Sequence, residues 1–168
     1  MADYRKLKPF ILRWEGGFAN VKNDRGGATN KGITLATFRA YFGKGKTVDD
    51  LKRLTDAQWD YIFLKGFWNP FGADSINSQP IANICVDWAW ASGTVTAIRQ
   101  VQSILKVPVD GKVGPKTIEA INTANSKALF ERIKAGRLQF VDNIVRRDPT
   151  QKVFLKGWKN RINAIKYE

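Results

Sequence analysis

Apolar residues near the start of the chain recur at the spacing of one helix face, i, i+3, i+4, i+7. This face is formed by Leu7, Phe10, Ile11 and Trp14. Gly16 and Gly17 predict the end of the helix, because glycine adopts the left-handed cap conformation without a Cβ penalty. The pattern therefore places Glu15 at the C-terminal end of a helix.

The helical period is lost between Phe18 and Ile33, where the turn-forming clusters NDRGG and TNKG occur. Turn residues at the centre of such a stretch favour a hairpin. We expect at most a short β-hairpin near residues 18–33.

Helical patterns resume after this stretch. Thr34 is a candidate N-cap for TLATFRAYF, and TVDDLKRL predicts a short helix with acidic residues in its first turn. Thr55 and Gln58 have the spacing of a capping box. The segment QPIANICVDWAWASG is apolar almost all round, which predicts a central buried helix.

After Gly93, the segment TVTAIRQVQSILKVPVDGKVGPKTIEAIN predicts a helix, a loop with an Asp-Gly turn, and a second helix that opens with proline. A long helix is predicted from Lys127 to about Arg146, with Ser126 as its cap. A last amphipathic helix follows. Its predicted face is Phe154, Trp158, Ile162 and Ile165. The sequence thus predicts a mainly α fold.

The net charge of +13 attracts polyanions such as nucleic acid, an anionic membrane or the bacterial cell wall, and a basic solvated surface without a specific partner is the alternative. Charge alone does not choose among them. No stretch of the sequence is long and apolar enough to predict a membrane span, and the N-terminus does not resemble a signal peptide. We therefore expect a protein made in the cytoplasm.

The chain has no histidine, which excludes a Ser-His-Asp triad, a Cys-His pair and a His-ligated zinc site. The single cysteine, Cys85, lies in an apolar run, and we expect it to be buried and structural. We expect no metal and no cofactor.

Without histidine, acid–base chemistry falls mainly to carboxylates. Glu15 differs from the other glutamates because it lies between an apolar helix and two glycines. An aromatic neighbour and the negative end of a helix dipole both favour a protonated carboxylic acid, which is what a glycosidase needs to protonate a leaving oxygen. A capping or salt-bridged surface glutamate is the alternative interpretation of Glu15.

Asp24 follows Glu15 by nine residues, and a second carboxylate there could activate a water. The hydroxyl of Thr29 could orient that water. Both residue types also stabilise turns, which is the alternative interpretation.

Aromatic rings stack on sugar rings, which makes Trp68, with its neighbour Asn69, a candidate for substrate binding. Trp88 and Trp90 are further candidates, although tryptophan at helical spacing is more often part of a core. Asp87 is hard to explain within an apolar helix unless it has polar partners. We interpret Asp87 as a substrate-facing or helix-fixing group.

The motifs EGGF and DRGGATNKGIT, followed by TF, resemble the signature of glycoside hydrolase family 108, the bacterial and phage N-acetylmuramidases. The stretches FWNPFGAD and DWAWASG continue the resemblance. VQSILKVPVDGKVGPKTIEAIN is similar to the predicted peptidoglycan-binding domain that follows this catalytic domain. Departures from the pattern are Phe18 where tyrosine is frequent, Arg25 where proline is common, and Ala28 where an acid is frequent.

The resemblance implies a lysozyme-like catalytic domain over residues 1–93, packed against a helical peptidoglycan-binding domain over residues 94–168. It places the catalytic acid on Glu15, and the order of Glu15, Asp24 and Thr29 also resembles phage endolysins of the T-even lysozyme type. We therefore expect a monomeric muramidase that cleaves the β-1,4 bond between N-acetylmuramic acid and N-acetylglucosamine after release or export to the wall. A lytic transglycosylase, a non-catalytic wall-binding module and a nucleic-acid binder are the alternatives.

Overall fold

The computed structural model describes residues 1–20 and 27–168 of the chain. These residues form two compact units. The N-terminal unit is Arg5–Lys65, and the C-terminal unit combines Met1–Tyr4 with Gly66–Glu168. The predicted domain boundary between residues 93 and 94 stays a prediction.

The N-terminal unit contains short helices and one small sheet. Its elements are α1 (Tyr4–Glu15, which begins one residue before the unit), β1 (Phe18–Asn20), β2 (Ala28–Asn30), β3 (Ile33–Thr34), α2 (Leu35–Phe42), α3 (Val48–Lys52) and α4 (Asp56–Phe63). The strands form an antiparallel sheet in the order β1-β2-β3. The predicted hairpin is thus one part of a three-stranded sheet, in which Phe18 pairs with Asn30 and Ala19 with Thr29.

The helix starts of the N-terminal unit follow from local hydrogen bonds predicted by the sequence. The Thr34 side chain caps α2 by accepting from the Thr37 N–H at 3.1 Å. Thr55 and Gln58 form the predicted capping box of α4, with both reciprocal hydrogen bonds at 3.0 Å. These caps satisfy backbone donors that the first turn leaves without helical partners.

All of the secondary structure in the C-terminal unit is helical. Its elements are a π-helical turn (Leu64–Trp68, which begins within the N-terminal unit), a 3-10 turn (Ala73–Ser75), α5 (Gln79–Ser92), α6 (Thr94–Leu105), α7 (Pro115–Thr123), α8 (Ser126–Arg147), a second 3-10 turn (Pro149–Gln151) and α9 (Lys152–Ala164). Helix α5 is buried over most of its length, and Ile84, Cys85 and Val86 are fully enclosed. The predicted central helix is therefore confirmed, and so is the mainly α fold class.

Two local predictions in the C-terminal unit are wrong. The cap of α8 is Asn125, whose Oδ1 accepts from the Ala128 N–H at 3.0 Å, whereas the Ser126 hydroxyl bonds the hydroxyl of Ser78. The predicted apolar face of helix α9 is only partly buried, because Ile162 is buried whereas the Phe154 side chain is 52% exposed. A stacked contact with Trp158, at a centroid distance of 5.9 Å, covers one side of the Phe154 ring.

Within the described residues, no helix has the length and apolar character that crossing a membrane requires.

Candidate active site

Glu15 ends the buried stripe of helix α1. Leu7 and Ile11 are 1% and 0% exposed, and Glu15 continues their spacing of four residues at the last position of the helix. The Glu15 side chain is half-buried. Gly16 has a φ of 72°, and its N–H closes the helix on the Leu12 carbonyl at 3.1 Å. The chain thus turns away directly after the carboxylate and enters strand β1.

Trp14 belongs to the apolar face predicted for helix α1, but its side chain is 39% exposed. Consecutive residues of a helix point in different directions, so Trp14 and Glu15 do not share a face. Trp14 instead contacts Phe10, at a centroid distance of 6.2 Å. Glu15 therefore lies on the side of the helix that carries Leu7 and Ile11, and the Trp14 ring is open to solvent.

Thr29 lies in the central strand of the small sheet. Its Cα partners are Ala19 on β1 and Thr34 on β3. Ala28 and Asn30 on either side are buried, whereas Thr29 is half-buried. Because successive strand side chains point to opposite faces, the Thr29 hydroxyl lies on the less covered face of the sheet.

Asn30 holds the covered face of this sheet against helix α3. Its side chain is 5% exposed, and its amide nitrogen donates to the carbonyl oxygens of Leu51 at 2.9 Å and Lys52 at 3.3 Å. In the sequence this asparagine belongs to the turn-forming cluster TNKG, which by itself gives no sign of an inward-facing role. Asn30 lies two residues after buried Ala28 in the same strand, so an alternating strand pattern would have placed it on the inward-facing side.

Lys8 joins helix α1, which carries Glu15, to helix α4. Its Nζ lies 2.6 Å from Oδ1 of Asp56 and 2.6 Å from Oδ1 of Asp60. Burial lowers the pKa of Lys8, but the hydrogen bonds and charges of the two aspartates outweigh it and leave the pKa raised. This double ion pair holds helix α1, which carries the candidate acid Glu15, against helix α4.

Asp24 lies outside the described residues, so its predicted role as a water-activating carboxylate stays a prediction. Glu15 and Thr29 both belong to the N-terminal unit, whereas Trp68, Asn69 and Asp87 belong to the C-terminal unit.

Trp68 is fully buried, and its indole N–H donates to Oδ1 of Asp74 at 2.8 Å. Tyr4 contacts the ring edge-on at a centroid distance of 6.3 Å. The ring faces of Trp68 therefore belong to the core in this structure. Asn69 is exposed, and its backbone carbonyl accepts from the Gly72 N–H at 2.9 Å. The substrate-binding roles of both residues stay predictions.

The other two tryptophans considered for sugar binding lie on helix α5. Trp88 is 1% exposed and contacts Phe140, whereas Trp90 is half-buried against Phe67 at a centroid distance of 4.8 Å.

Asp87 lies in the interior with two arginine partners. Its carboxylate is fully buried and accepts from Nη1 of Arg137 at 3.1 Å and from Nη2 of Arg161 at 2.8 Å. Burial lowers the pKa of Arg137, and the Asp87 charge opposes that shift. These ion pairs join α5 to α8 and α9, as a helix-fixing role of Asp87 requires. Its predicted contact with substrate stays a prediction.

Comparison with known proteins gives one family for each half of the chain. The Glycosyl hydrolase 108 family matches residues 8–93, and the family described as Predicted Peptidoglycan domain matches residues 96–163. No curated protein matches the chain. Among solved structures, one titled "Structure of Brucella abortus SagA" has a TM-score of 0.83 and 29% sequence identity, over 96% of this chain and 90% of that chain.

The two family matches support a cell-wall activity of the muramidase type, with peptidoglycan as the substrate. The first match spans 86 of the 168 residues (93 − 8 + 1), which is more than half of the chain. The chain therefore belongs to the glycosyl hydrolase 108 family.

Proposed function

We propose that the protein is a lysozyme-type N-acetylmuramidase that hydrolyses the β-1,4 bond between N-acetylmuramic acid and N-acetylglucosamine, with Glu15 as the general acid. The observation that carries the proposal is the half-buried carboxylate at the end of the α1 stripe, directly before the chain turns into the sheet. Membership of a glycosyl hydrolase family supports the same reaction type.

In this mechanism Glu15 protonates the glycosidic oxygen as the bond breaks and positive charge develops on the sugar ring. A water then attacks the anomeric carbon from the other side. Asp24 accepts the proton of that water, and the Thr29 hydroxyl orients it. Thr29 suits this role because its hydroxyl lies on the less covered face of the sheet.

Two exposed aromatic rings flank Glu15 in the sequence and supply surfaces for sugar stacking. Trp14 is 39% exposed and Phe18 is 37% exposed. The Nζ of Lys52 lies 5.8 Å from the centroid of the Phe18 ring, which places a positive charge beside one of these surfaces. Apolar ring faces stack on pyranose rings, and the positive charge attracts anionic wall groups.

We further propose that the C-terminal part holds the polymer while the N-terminal unit cleaves it, because residues 96–163 match a peptidoglycan domain family. The net charge of +13 favours binding to an anionic wall. The protein then acts on the wall as a monomer after release or export from the cytoplasm.

The test is the rate of solubilisation of purified peptidoglycan by the wild type and by Glu15→Gln. Glutamine preserves the shape of the side chain but cannot donate a carboxylic proton, so we expect the rate to fall by roughly 10²- to 10⁴-fold. Glu119→Gln is the matched control, because Glu119 is an exposed glutamate on helix α7, and it should keep the wild-type rate. Full activity of Glu15→Gln would remove Glu15 from the mechanism.

Binding to cell-wall sacculi without any release of soluble fragments by the wild type would instead show a non-catalytic wall-binding module. Salt-sensitive binding to DNA without binding to sacculi would show a nucleic-acid binder.

A further inference from the structure

Helices α8 and α9 meet at one corner of the C-terminal unit. Helix α8 ends at Arg147 and helix α9 begins at Lys152, with only Asp148 and the 3-10 turn Pro149–Gln151 between them. A connection this short places the end of one helix beside the start of the next. Residues 146–156 therefore lie together at one end of the helix pair, and we call this region the α8–α9 corner.

Two adjacent apolar side chains at the α8–α9 corner are open to water. Val153 is 79% exposed, and Phe154, at 52%, is the most exposed aromatic side chain in the part of the chain that the structure describes. Further along the stripe that Phe154 begins, Trp158 is half-buried and Ile162 is only 2% exposed. The apolar stripe of α9 thus starts outside the core and enters it towards the C-terminal end of the helix. Single exposed apolar side chains are common, but a contiguous pair beside charged residues suits a contact surface.

The same corner is strongly basic. Arg146 and Arg147 end helix α8, Lys152 and Lys156 lie in the first two turns of α9, and all four side chains are exposed. Asp148 is the acidic residue of this segment, and its carboxylate accepts the backbone N–H two residues later. Four positive charges therefore stand against one negative charge.

The neighbouring charges on both helices are already matched. Asp142, one turn before the end of α8, pairs with Lys159 at 2.9 Å, and Arg161 pairs with the buried Asp87 at 2.8 Å. The excess positive charge of the α8–α9 corner consequently does not depend on Lys159 or Arg161.

This combination distinguishes among the polyanions that a basic protein attracts. Nucleic acid and wall polymers match cations through their phosphate or carboxylate groups, but they contain no hydrocarbon phase that removes an aliphatic side chain from water. The interface of an anionic membrane offers both partners, lipid phosphates for lysine and arginine and acyl chains for valine and phenylalanine. Contact of this kind needs no membrane-spanning helix, because the side chains enter only the interface.

We propose that the α8–α9 corner docks on the surface of an anionic membrane. Val153 and Phe154 enter the boundary between headgroups and acyl chains, and Lys152 and Lys156 bind lipid phosphates beside them. The two arginines at the end of α8 add attraction at longer range. This membrane contact goes beyond the proposed muramidase reaction and does not depend on it.

The experiment is co-sedimentation of the full-length protein with unilamellar vesicles at physiological ionic strength. The vesicles contain equal parts of phosphatidylglycerol and phosphatidylcholine, and vesicles of phosphatidylcholine alone are the uncharged control. We expect binding to the anionic vesicles to be at least about tenfold tighter, because each lysine or arginine at the surface is attracted to anionic lipid.

One pair of double variants tests the apolar contacts. Val153→Ser with Phe154→Ser leaves the charges in place, and we expect it to weaken binding to the anionic vesicles by about tenfold or more. Val95→Ser with Val109→Ser is the matched control, because these valines of the same unit are 55% and 52% exposed, and it should bind as the wild type does.

A second pair of double variants tests the charges. Lys152→Gln with Lys156→Gln should weaken binding by about tenfold or more. Lys116→Gln with Lys127→Gln removes the same charge from exposed positions on α7 and at the opposite end of α8, more than a screening length away, and should weaken binding by less than about threefold. Melting temperatures check that the variants are folded, and they should change little because every substituted side chain is exposed.

Equal binding to the two kinds of vesicle, or equal effects of a corner variant and its matched control, would overturn the inference. A loss of binding to sacculi or to DNA by the corner variants, with unchanged binding to vesicles, would also overturn it and assign the corner to another polyanion. Normal solubilisation of peptidoglycan by a protein that does not bind vesicles would reject membrane docking and leave the muramidase proposal standing.

Discussion

The indole N–H of Trp59 donates a hydrogen bond to the backbone carbonyl of Lys31 at 3.0 Å. Lys31 and Gly32 form the turn between β2 and β3, and both have positive φ values, 52° and 83°. The left-handed conformation is costly for a lysine, so the surrounding structure has to hold it in place. Helix α4 thus fixes the turn that begins two residues after Thr29.

Replacing Trp59 by phenylalanine removes this donor and leaves an aromatic ring to stack on Phe63, which lies at a centroid distance of 4.9 Å. We expect the free energy of unfolding to fall by about 1–3 kcal/mol, from the lost hydrogen bond and the smaller ring. Trp14→Phe is the matched control at an exposed tryptophan, and it should change stability by less than about 0.5 kcal/mol. Urea unfolding measures both. Equal effects of the two substitutions would contradict the role assigned to Trp59.

Trp14→Ala tests the proposed sugar-stacking surface. Because the ring is exposed and does not belong to the buried stripe of α1, we expect a nearly unchanged melting temperature. The KM for a soluble glycan fragment should rise several-fold, since stacking of one ring contributes on the order of 1 kcal/mol. Steady-state kinetics on a defined oligosaccharide measure this change. An unchanged KM would remove Trp14 from the substrate site.

Asp87→Asn tests the buried ion pairs of the C-terminal unit. It leaves Arg137 buried without a charged partner, and we expect a loss of about 3–5 kcal/mol in the free energy of unfolding. Asp142→Asn breaks a comparable pair with Lys159, but both side chains are 38% exposed there, so the loss should stay below about 1 kcal/mol. A stable Asp87→Asn variant with impaired substrate binding would instead favour the substrate-facing interpretation.

Cys85 should resist thiol reagents in the folded protein. It is fully buried, and burial raises the pKa of its thiol from 9.0 to about 12. A disulfide reagent at pH 8 should therefore react slowly until urea unfolds the chain. Fast reaction without urea would contradict the burial.

The same pKa shift predicts a pH dependence of stability. Between pH 9 and about pH 12 the folded thiol keeps its proton while the unfolded thiol releases it, so this contribution to stability is lost as the pH rises. Urea midpoints of the wild type should fall more steeply over this window than those of Cys85→Ala. Parallel slopes would contradict the prediction.

The sequence predicts the helices well where local signals agree with burial. The Thr34 cap and the Thr55 box are side-chain to backbone contacts three residues apart, so the local sequence is enough to identify them. The central helix α5 is recognisable because its apolar residues cover all sides. The position of Glu15 at the end of α1 likewise follows from the two glycines after it.

The remaining features depend on contacts that are distant in the sequence. Asn30 looks like a turn residue until α3, about 20 residues later, supplies its two carbonyl partners. The partners of Asp87 are 50 and 74 residues away. The sequence makes Trp68 a candidate for sugar stacking because it is aromatic and precedes Asn69. Its burial and its hydrogen bond to Asp74 become visible only in the folded chain.

The measurement that tests the central claim most directly is the identity of the new chain end. Purified peptidoglycan is digested in water enriched in heavy oxygen, and the soluble fragments are analysed by mass spectrometry. Hydrolysis by a muramidase predicts a reducing N-acetylmuramic acid that carries one heavy oxygen from the attacking water. An anhydro-muramyl end without solvent oxygen, as a lytic transglycosylase produces, or a reducing N-acetylglucosamine would contradict the account.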